Sequence, residues 1–216
     1  VILLTLTSFT RSRINRVFMD DVIVPLYPLY VWMRKIEFDT KPIIKELRAQ
    51  TKPKVDNISD TRIEDFMLPQ DTSCKNLLPQ IKEFTCRNIN KCFGKIDVDN
   101  LHVEEVWGQI LKQGMATAYH THYDRNNPHR NGWSFVYYLQ AEPDNGNLAL
   151  QAEHGSLDYT KDIKPETNLL VVFPMNTPHF TRRNTLETER IAIAGNIIPI
   201  MKQKEVSNDD NVNSRT

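Results

Sequence analysis

The chain reads as an α+β protein whose second half closes into a double-stranded β-helix, or jelly roll, with supporting helices in the N-terminal half. Two observations predict this. Candidate helices are confined to the first hundred residues, and from Val103 onward the pattern changes to short apolar runs separated by turns. Helices followed by many short strands argue for a sheet that closes on itself, with the helices laid against one side. A length of 216 residues, 40% of them hydrophobic and 25% charged, is enough for one domain with a sizeable core.

In chain order, residues 1–7 are rich in β-branched and apolar types, but Arg11, Arg13 and Arg16 follow without a helical stripe, so this stretch fits no single element. Residues 22–32 alternate poorly and hold Pro25 and Pro28, which predicts an edge strand or an extended arm docked on the core. Residues 41–48 start with Pro42 in a first-turn position and set Ile43, Ile44 and Leu47 on one side, a short helix. Residues 50–72 are polar and turn-rich and predict a long loop or lid.

A second helix is expected after a cap at Thr72 or Ser73. Its apolar positions are Leu77, Leu78, Ile81, Phe84 and Ile89, continuing to Cys92 and Phe93 before a stop at Gly94. Strands are then expected over 103–111, 115–122, 133–140, 147–151, 169–173, 179–182 and 190–198, with Gly114 and Asp144-Asn145-Gly146-Asn147 at the turns. The expected organisation is one domain over 1–201, with 1–102 as arm and helical support and 103–201 as the β-helix core. A disordered polar tail is expected over 202–216.

Basic and acidic residues cancel at 27 each, so the whole-protein field gives no reason to expect nucleic acid or an anionic membrane as partner. Cys74, Cys86 and Cys92 are odd in number and lack zinc-ribbon spacing, which predicts reduced thiols packed as small hydrophobes. The opening Val1-Ile2-Leu3-Leu4 is too short for a signal segment, and no later run approaches a membrane span. The expected location is cytoplasmic.

The chemistry-bearing stretch is Tyr119-His120-Thr121-His122-Tyr123-Asp124. On an extended strand, at roughly 3.3 Å per residue, His122 and Asp124 share a face about 7 Å apart, close enough to hold one ion. His120 shares that face, so the strand offers either His120 with His122 or His122 with Asp124. A third ligand is expected from His179, which follows the apolar run 169–173. Two histidines and a carboxylate leave the far side of a metal open, the arrangement of non-haem Fe(II) oxygenases. The carboxylate also brings a negative charge toward a divalent iron, which favours the His122 and Asp124 pair and leaves His120 to orient a ligand or bound water. Arg190, at the start of the last apolar run, offers a planar fork suited to a dicarboxylate. His129 and His154 read as exposed polar residues.

These residues resemble the 2-oxoglutarate/Fe(II)-dependent dioxygenase superfamily, and within it the prolyl 4-hydroxylase-like branch. The likeness covers about residues 103–198. It is carried by Tyr119-x-x-His122-x-Asp124, by the aromatic strand Trp133-Ser134-Phe135-Val136-Tyr137-Tyr138-Leu139, by His179, and by Arg190 eleven positions later. The resemblance implies Fe(II) held by His122, Asp124 and His179, with His120 the alternative ligand, and 2-oxoglutarate and O2 as cosubstrates. It implies that Arg190 pairs with the distal carboxylate of 2-oxoglutarate, that Tyr138 rather than Tyr137 hydrogen-bonds the cosubstrate, and that Tyr119 belongs to the same pocket. The implied reaction hydroxylates an unactivated C–H bond of a peptide or protein side chain or of a small molecule, releasing succinate and CO2. One departure stands out: the branch usually carries Ser or Thr two residues after its basic residue, and Ala192 stands there. Two competing expectations are a cupin-like metal enzyme that uses His120, His122 and His179 without 2-oxoglutarate, and a jelly-roll binding protein without turnover.

Overall fold

The computed structural model describes residues 22–26, 29–50, 64–67, 73–122, 131–154 and 157–200. Ten strands and two helices are described: β1 (Val22–Leu26), β2 (Leu29–Lys35), α1 (Lys41–Ala49), β3 (Glu64–Met67), α2 (Leu78–Cys92), β4 (Leu101–Leu111), β5 (Trp133–Gln140), β6 (Leu148–His154), β7 (Leu157–Ile163), β8 (Leu169–Pro174), β9 (His179–Thr181) and β10 (Arg190–Pro199). Seven form an antiparallel sheet in the order β1-β2-β8-β5-β10-β4-β3, and three form a second sheet in the order β7-β6-β9. The segment before residue 123 extends the smaller sheet through one bridge, His120 to His179. This is the double-stranded β-helix that the run of short strands predicts.

The three central strands β8, β5 and β10 are buried along nearly their whole length because both faces are covered. Alternation sorts their side chains. Phe135, Tyr137, Leu170, Val172, Ile191 and Ile193 join the core formed with Ile43 and Leu47 of α1 and Ile81, Phe84 and Ile89 of α2. Val136, Tyr138, Val171, Phe173, Ala192 and Ala194 join a second core with Leu148, Leu150 and Ile163 of the smaller sheet. On β4, a Cβ at Gly108 would lie 2.1 Å from a Leu47 methyl carbon, so α1 rests directly on the strand backbone there.

The first helix forms where Pro42 places it, from Lys41. The second starts later than its expected cap. Ser73 does not cap α2; its hydroxyl donates to the Glu46 carboxylate, residues 73–77 form turns, and the helix begins at Leu78 with Pro79 in its first turn. Residues 22–32 are not a docked arm but most of a hairpin. β1 takes the sheet edge that Pro25 requires, and β2 lies inside the sheet between β1 and β8. Part of the expected 50–72 loop, Glu64–Met67, is a strand at the other edge, paired with β4. The expected strand over 115–122 is reduced to its single bridge, and β7, which the sequence reading lacks, is an edge strand whose Asp, Lys and Thr residues hide its alternation. Residues 1–21 and the tail lie outside the described residues. The three cysteines form no disulfide, and two of them are buried. Among the described residues no helix is long and apolar enough to cross a membrane.

Candidate metal and cosubstrate site

His120 and His179 are bound to each other through their backbones: each N–H donates to the other's carbonyl, at 3.0 and 2.9 Å. Such a directly opposed antiparallel pair projects its side chains to one side. The two rings lie 4.3 Å apart, centroid to centroid. His122, two residues on, is fixed by its N–H donating to the Met175 carbonyl at 3.0 Å, and its ring lies 5.1 Å from each of the other two. One ring nitrogen from each of the three falls within 4.8 Å of the others.

The ring orientations have a local cause. Nδ1 of His120 lies 2.8 Å from the Ala118 carbonyl, and Nδ1 of His179 lies 2.9 Å from the Thr177 carbonyl. A carbonyl only accepts, so both Nδ1 atoms carry the proton and both Nε2 atoms carry a lone pair. Backbone carbonyls two residues back thus set tautomer and aim, as partners behind metal-binding histidines do. Phe173 packs edge-on against His179 at 4.8 Å, and Trp107 lies 5.3 Å from His122. Burial, and then the neighbouring His120, lower the pKa of His122 to about 4. Burial holds His179 well below the usual histidine value, with His120 and His122 adding to it and the Thr177 hydrogen bond opposing. Both rings are therefore neutral at pH 7, the form that binds a metal.

Arg190 opens β10 and is only 1% exposed. Its Nη1 donates to Thr181 Oγ1 at a long 3.4 Å, and its guanidinium carbon sits 5.0 Å from the centre of the Tyr138 ring. Arg190 Nε and the Tyr138 hydroxyl are buried without a hydrogen-bond partner. Among the described residues no carboxylate pairs with this guanidinium. Burying a cation without a counter-charge costs several kcal/mol, so the site favours an anion. Burial raises the Tyr138 phenol pKa and the Arg190 charge opposes this, so the phenol stays protonated and able to donate.

Of the paired tyrosines, Tyr138 faces Arg190 and the smaller sheet. Tyr137 faces the helices, its hydroxyl 2.7 Å from both the Ile36 carbonyl and Asn168 Oδ1. Tyr119 is half exposed against Phe180 and does not line the cavity. Asp124 and His129, and the side chain of His154, lie outside the described residues. The cavity between the histidines and Arg190 is narrow, ≈ 30 Å³, with Trp107, Gln109, Thr117 and Thr181 in its wall. The sequence reading missed these four. Thr181 was within its reach, because it shares a strand face with His179, two residues back. Trp107 and Gln109 were not, because a register shift between β4 and β10 near Gly195 sets which β4 residues face the site.

Residues 108–198 match the family model described as the 2OG-Fe(II) oxygenase superfamily. That match spans the segment from β4 to β10, which holds the histidine cluster and Arg190. No curated protein matches it by sequence. Among solved structures, this chain is similar to a Pseudomonas putida prolyl-4-hydroxylase, with 19% identity, a TM-score of 0.59, and 81% of this chain and 95% of that one covered. It is also similar to the viral collagen prolyl hydroxylase of Paramecium bursaria Chlorella virus-1, solved with 2OG, with 18% identity, a TM-score of 0.52, and 76% and 94% covered. A third is HygX of Streptomyces hygroscopicus with nickel and 2-oxoglutarate bound, with 11% identity, a TM-score of 0.55, and 78% and 82% covered. At these identities the likeness is one of fold.

The residues gathered here fit the groups that the name of the matching family model calls for. Neutral imidazoles presenting Nε2 lone pairs suit Fe(II), and a buried, carboxylate-free guanidinium suits a dicarboxylate.

Proposed function

We propose that this chain is an Fe(II)- and 2-oxoglutarate-dependent oxygenase acting as a hydroxylase, in which His122 and His179, with His120 as third ligand, hold Fe(II), and in which Arg190 and Tyr138 bind the distal carboxylate of 2-oxoglutarate. One observation carries the reading: a nearly fully buried Arg190 with an unpartnered Nε lines the same cavity as three clustered histidines. The choice of His120 over Asp124 rests on its Nδ1 hydrogen bond, which matches that of His179 and leaves its Nε2 free in the same way. Asp124, two residues past His122, is the competing ligand.

When bound, Fe(II), 2-oxoglutarate and O2 supply the oxidation, with a hydroxylated C–H bond, succinate and CO2 as products. The protein's part is to bind, aim and exclude water. The carbonyls of Ala118 and Thr177 hold the rings of His120 and His179 in one tautomer. Phe173 and Trp107 wall the histidines with apolar surface. Arg190 would hold the distal carboxylate in the buried part of the cavity. In the narrow cavity its entry requires the wall side chains to move aside. The similarity to two prolyl hydroxylases supports a peptide or protein side chain as substrate, with a small molecule the alternative.

The test is succinate formation from 2-oxoglutarate by Fe(II)-loaded protein in air. Activity that persists with a 2-oxo acid lacking the distal carboxylate, at equal concentration and rate, refutes the role of Arg190. Stoichiometric iron without any 2-oxoglutarate turnover points to the cupin-like site, and absence of metal binding to a jelly roll without turnover.

A further inference from the structure

The inner face of β10 presents methyl groups where a cosubstrate's carboxylate would need hydrogen bonds. Arg190, Ala192, Ala194 and Asn196 succeed each other on that face; Asn196 accepts from the Ser134 hydroxyl at 2.9 Å, and between Arg190 and Asn196 the strand offers no polar side-chain atom there. The polar atoms nearest to that floor belong to its neighbours. On β4, Gln109 is the register partner of Ala192, and Leu111 is that of Arg190, so Gln109 lies diagonally across from Arg190 on the adjacent strand. Diagonal neighbours on one face are roughly 7–8 Å apart, within reach of two long side chains. On β9, Thr181 accepts from Arg190 Nη1 at 3.4 Å. A hydroxyl that accepts one hydrogen bond still has its own proton to donate. Gln109, Thr181 and Arg190 all line the one cavity that the three histidines line.

We infer that Gln109 and Thr181 complete, with Arg190, the anchor for the distal carboxylate of the 2-oxo acid. This rests on the reading of Arg190 given above. The amide N–H of Gln109 and the hydroxyl of Thr181 each donate to a carboxylate oxygen, while the guanidinium supplies the charge. A carboxylate has about four lone-pair sites, which a single partly engaged guanidinium fills incompletely. Three donors from three strands also fix the anion's position along the barrel axis.

The experiment is calorimetric titration of Mn(II)-loaded protein with 2-oxoglutarate and, separately, with 2-oxopentanoate, which keeps the chelating end and lacks the distal carboxylate. Gln109→Leu and Thr181→Val are each expected to weaken 2-oxoglutarate binding about ten-fold, while Mn(II) and 2-oxopentanoate binding stay as in the parent. Unchanged 2-oxoglutarate affinity in both variants overturns the inference. Equal loss for both ligands also overturns it, because it marks a general disturbance of the pocket. A Gln109→Glu variant covers the case in which the leucine variant does not fold. Its carboxylate faces Arg190 in place of the ligand's, and 2-oxoglutarate binding is expected to fall further than in Gln109→Leu; binding equal to the parent's overturns the inference. The parent reading fails separately, if Arg190→Met binds 2-oxoglutarate as the wild type does.

Discussion

Replacing Arg190 by Met separates a functional guanidinium from a structural one, because the two roles predict opposite effects on the ligand-free protein. Met keeps the aliphatic stem and removes a charge that is 1% exposed, has an unpartnered Nε, and makes one long hydrogen bond of 3.4 Å to Thr181. Exchanging a buried ion for a well-packed apolar side chain is commonly neutral or stabilising by about 1–4 kcal/mol. Loss of the contact with the Tyr138 ring takes back roughly 1–2 kcal/mol. The ligand-free variant should therefore be as stable as the parent or slightly more so. With 2-oxoglutarate the order reverses. A charge-assisted fork contributes about 1.5–3 kcal/mol, so affinity should fall roughly ten- to hundred-fold. At a concentration of 100 Kd the parent gains about 2.7 kcal/mol from the ligand, and the variant at the same concentration gains only about 0.4–1.4 kcal/mol. For a chain of this size about 1 kcal/mol moves Tm by roughly 2–4 °C, so thermal denaturation of the Mn(II)-loaded protein with and without 2-oxoglutarate resolves the difference. A large drop in the ligand-free Tm combined with an undiminished 2-oxoglutarate shift would refute the reasoning.

Three further outcomes are expected. In Fe(II) titrations His120→Ala should weaken binding at least ten-fold and Asp124→Ala less; the reverse order hands the third ligand position to Asp124. Metal-stripped protein should lose stability as pH falls from about 6.5 toward about 4, because His122 resists protonation until about 4 in the fold while unfolded histidines bind protons from about 6.5 downward. That loss is on the order of 2–3 kcal/mol for His122, and urea midpoints that stay flat across this window contradict the burial of the ring. Gly108→Ala should destabilise by about 1–3 kcal/mol in urea denaturation, since its Cβ meets Leu47 at 2.1 Å, and should leave Fe(II) affinity unchanged because α1 lies on the far face of the sheet; an unaltered midpoint counts against that packing.

The fold was legible where alternation and burial agree. The strands at 133–140, 169–173 and 190–198 were placed within a residue because both of their faces are covered, which makes them continuous apolar runs. Elements whose signal is spread over partners were not. β7 is an edge strand with charged outward positions, and β3 is four residues inside a polar stretch. The segment 115–122 carries the right residues, yet only His120 pairs, because its other backbone hydrogen bonds run to scattered carbonyls of Met175 and Thr181 instead of a continuous ladder. For the site, residue type and spacing brought forward His120, His122, His179 and Arg190, and the family resemblance added Tyr138; the structure gathers all five around the inner face. Period-two alternation could not choose among three ligands on one strand face. The hydrogen bonds that orient His120 and His179, from Nδ1 to carbonyls two residues back, have no signature in residue type, and Asp124 lies outside the described residues. Gln109 and Trp107 depend on a register shift near Gly195, a property of pairing that one strand's sequence does not contain.

The central claim is that the histidine cluster and Arg190 serve one metal and one 2-oxo acid together. Its most direct measurement is anaerobic visible absorption of protein loaded with Fe(II) and titrated with 2-oxoglutarate, followed by admission of air and quantification of succinate. A weak charge-transfer band should appear with 2-oxoglutarate and succinate should then form above the metal-free control, and both should vanish in His179→Ala. Protein that retains stoichiometric iron yet gives neither band nor succinate contradicts the claim.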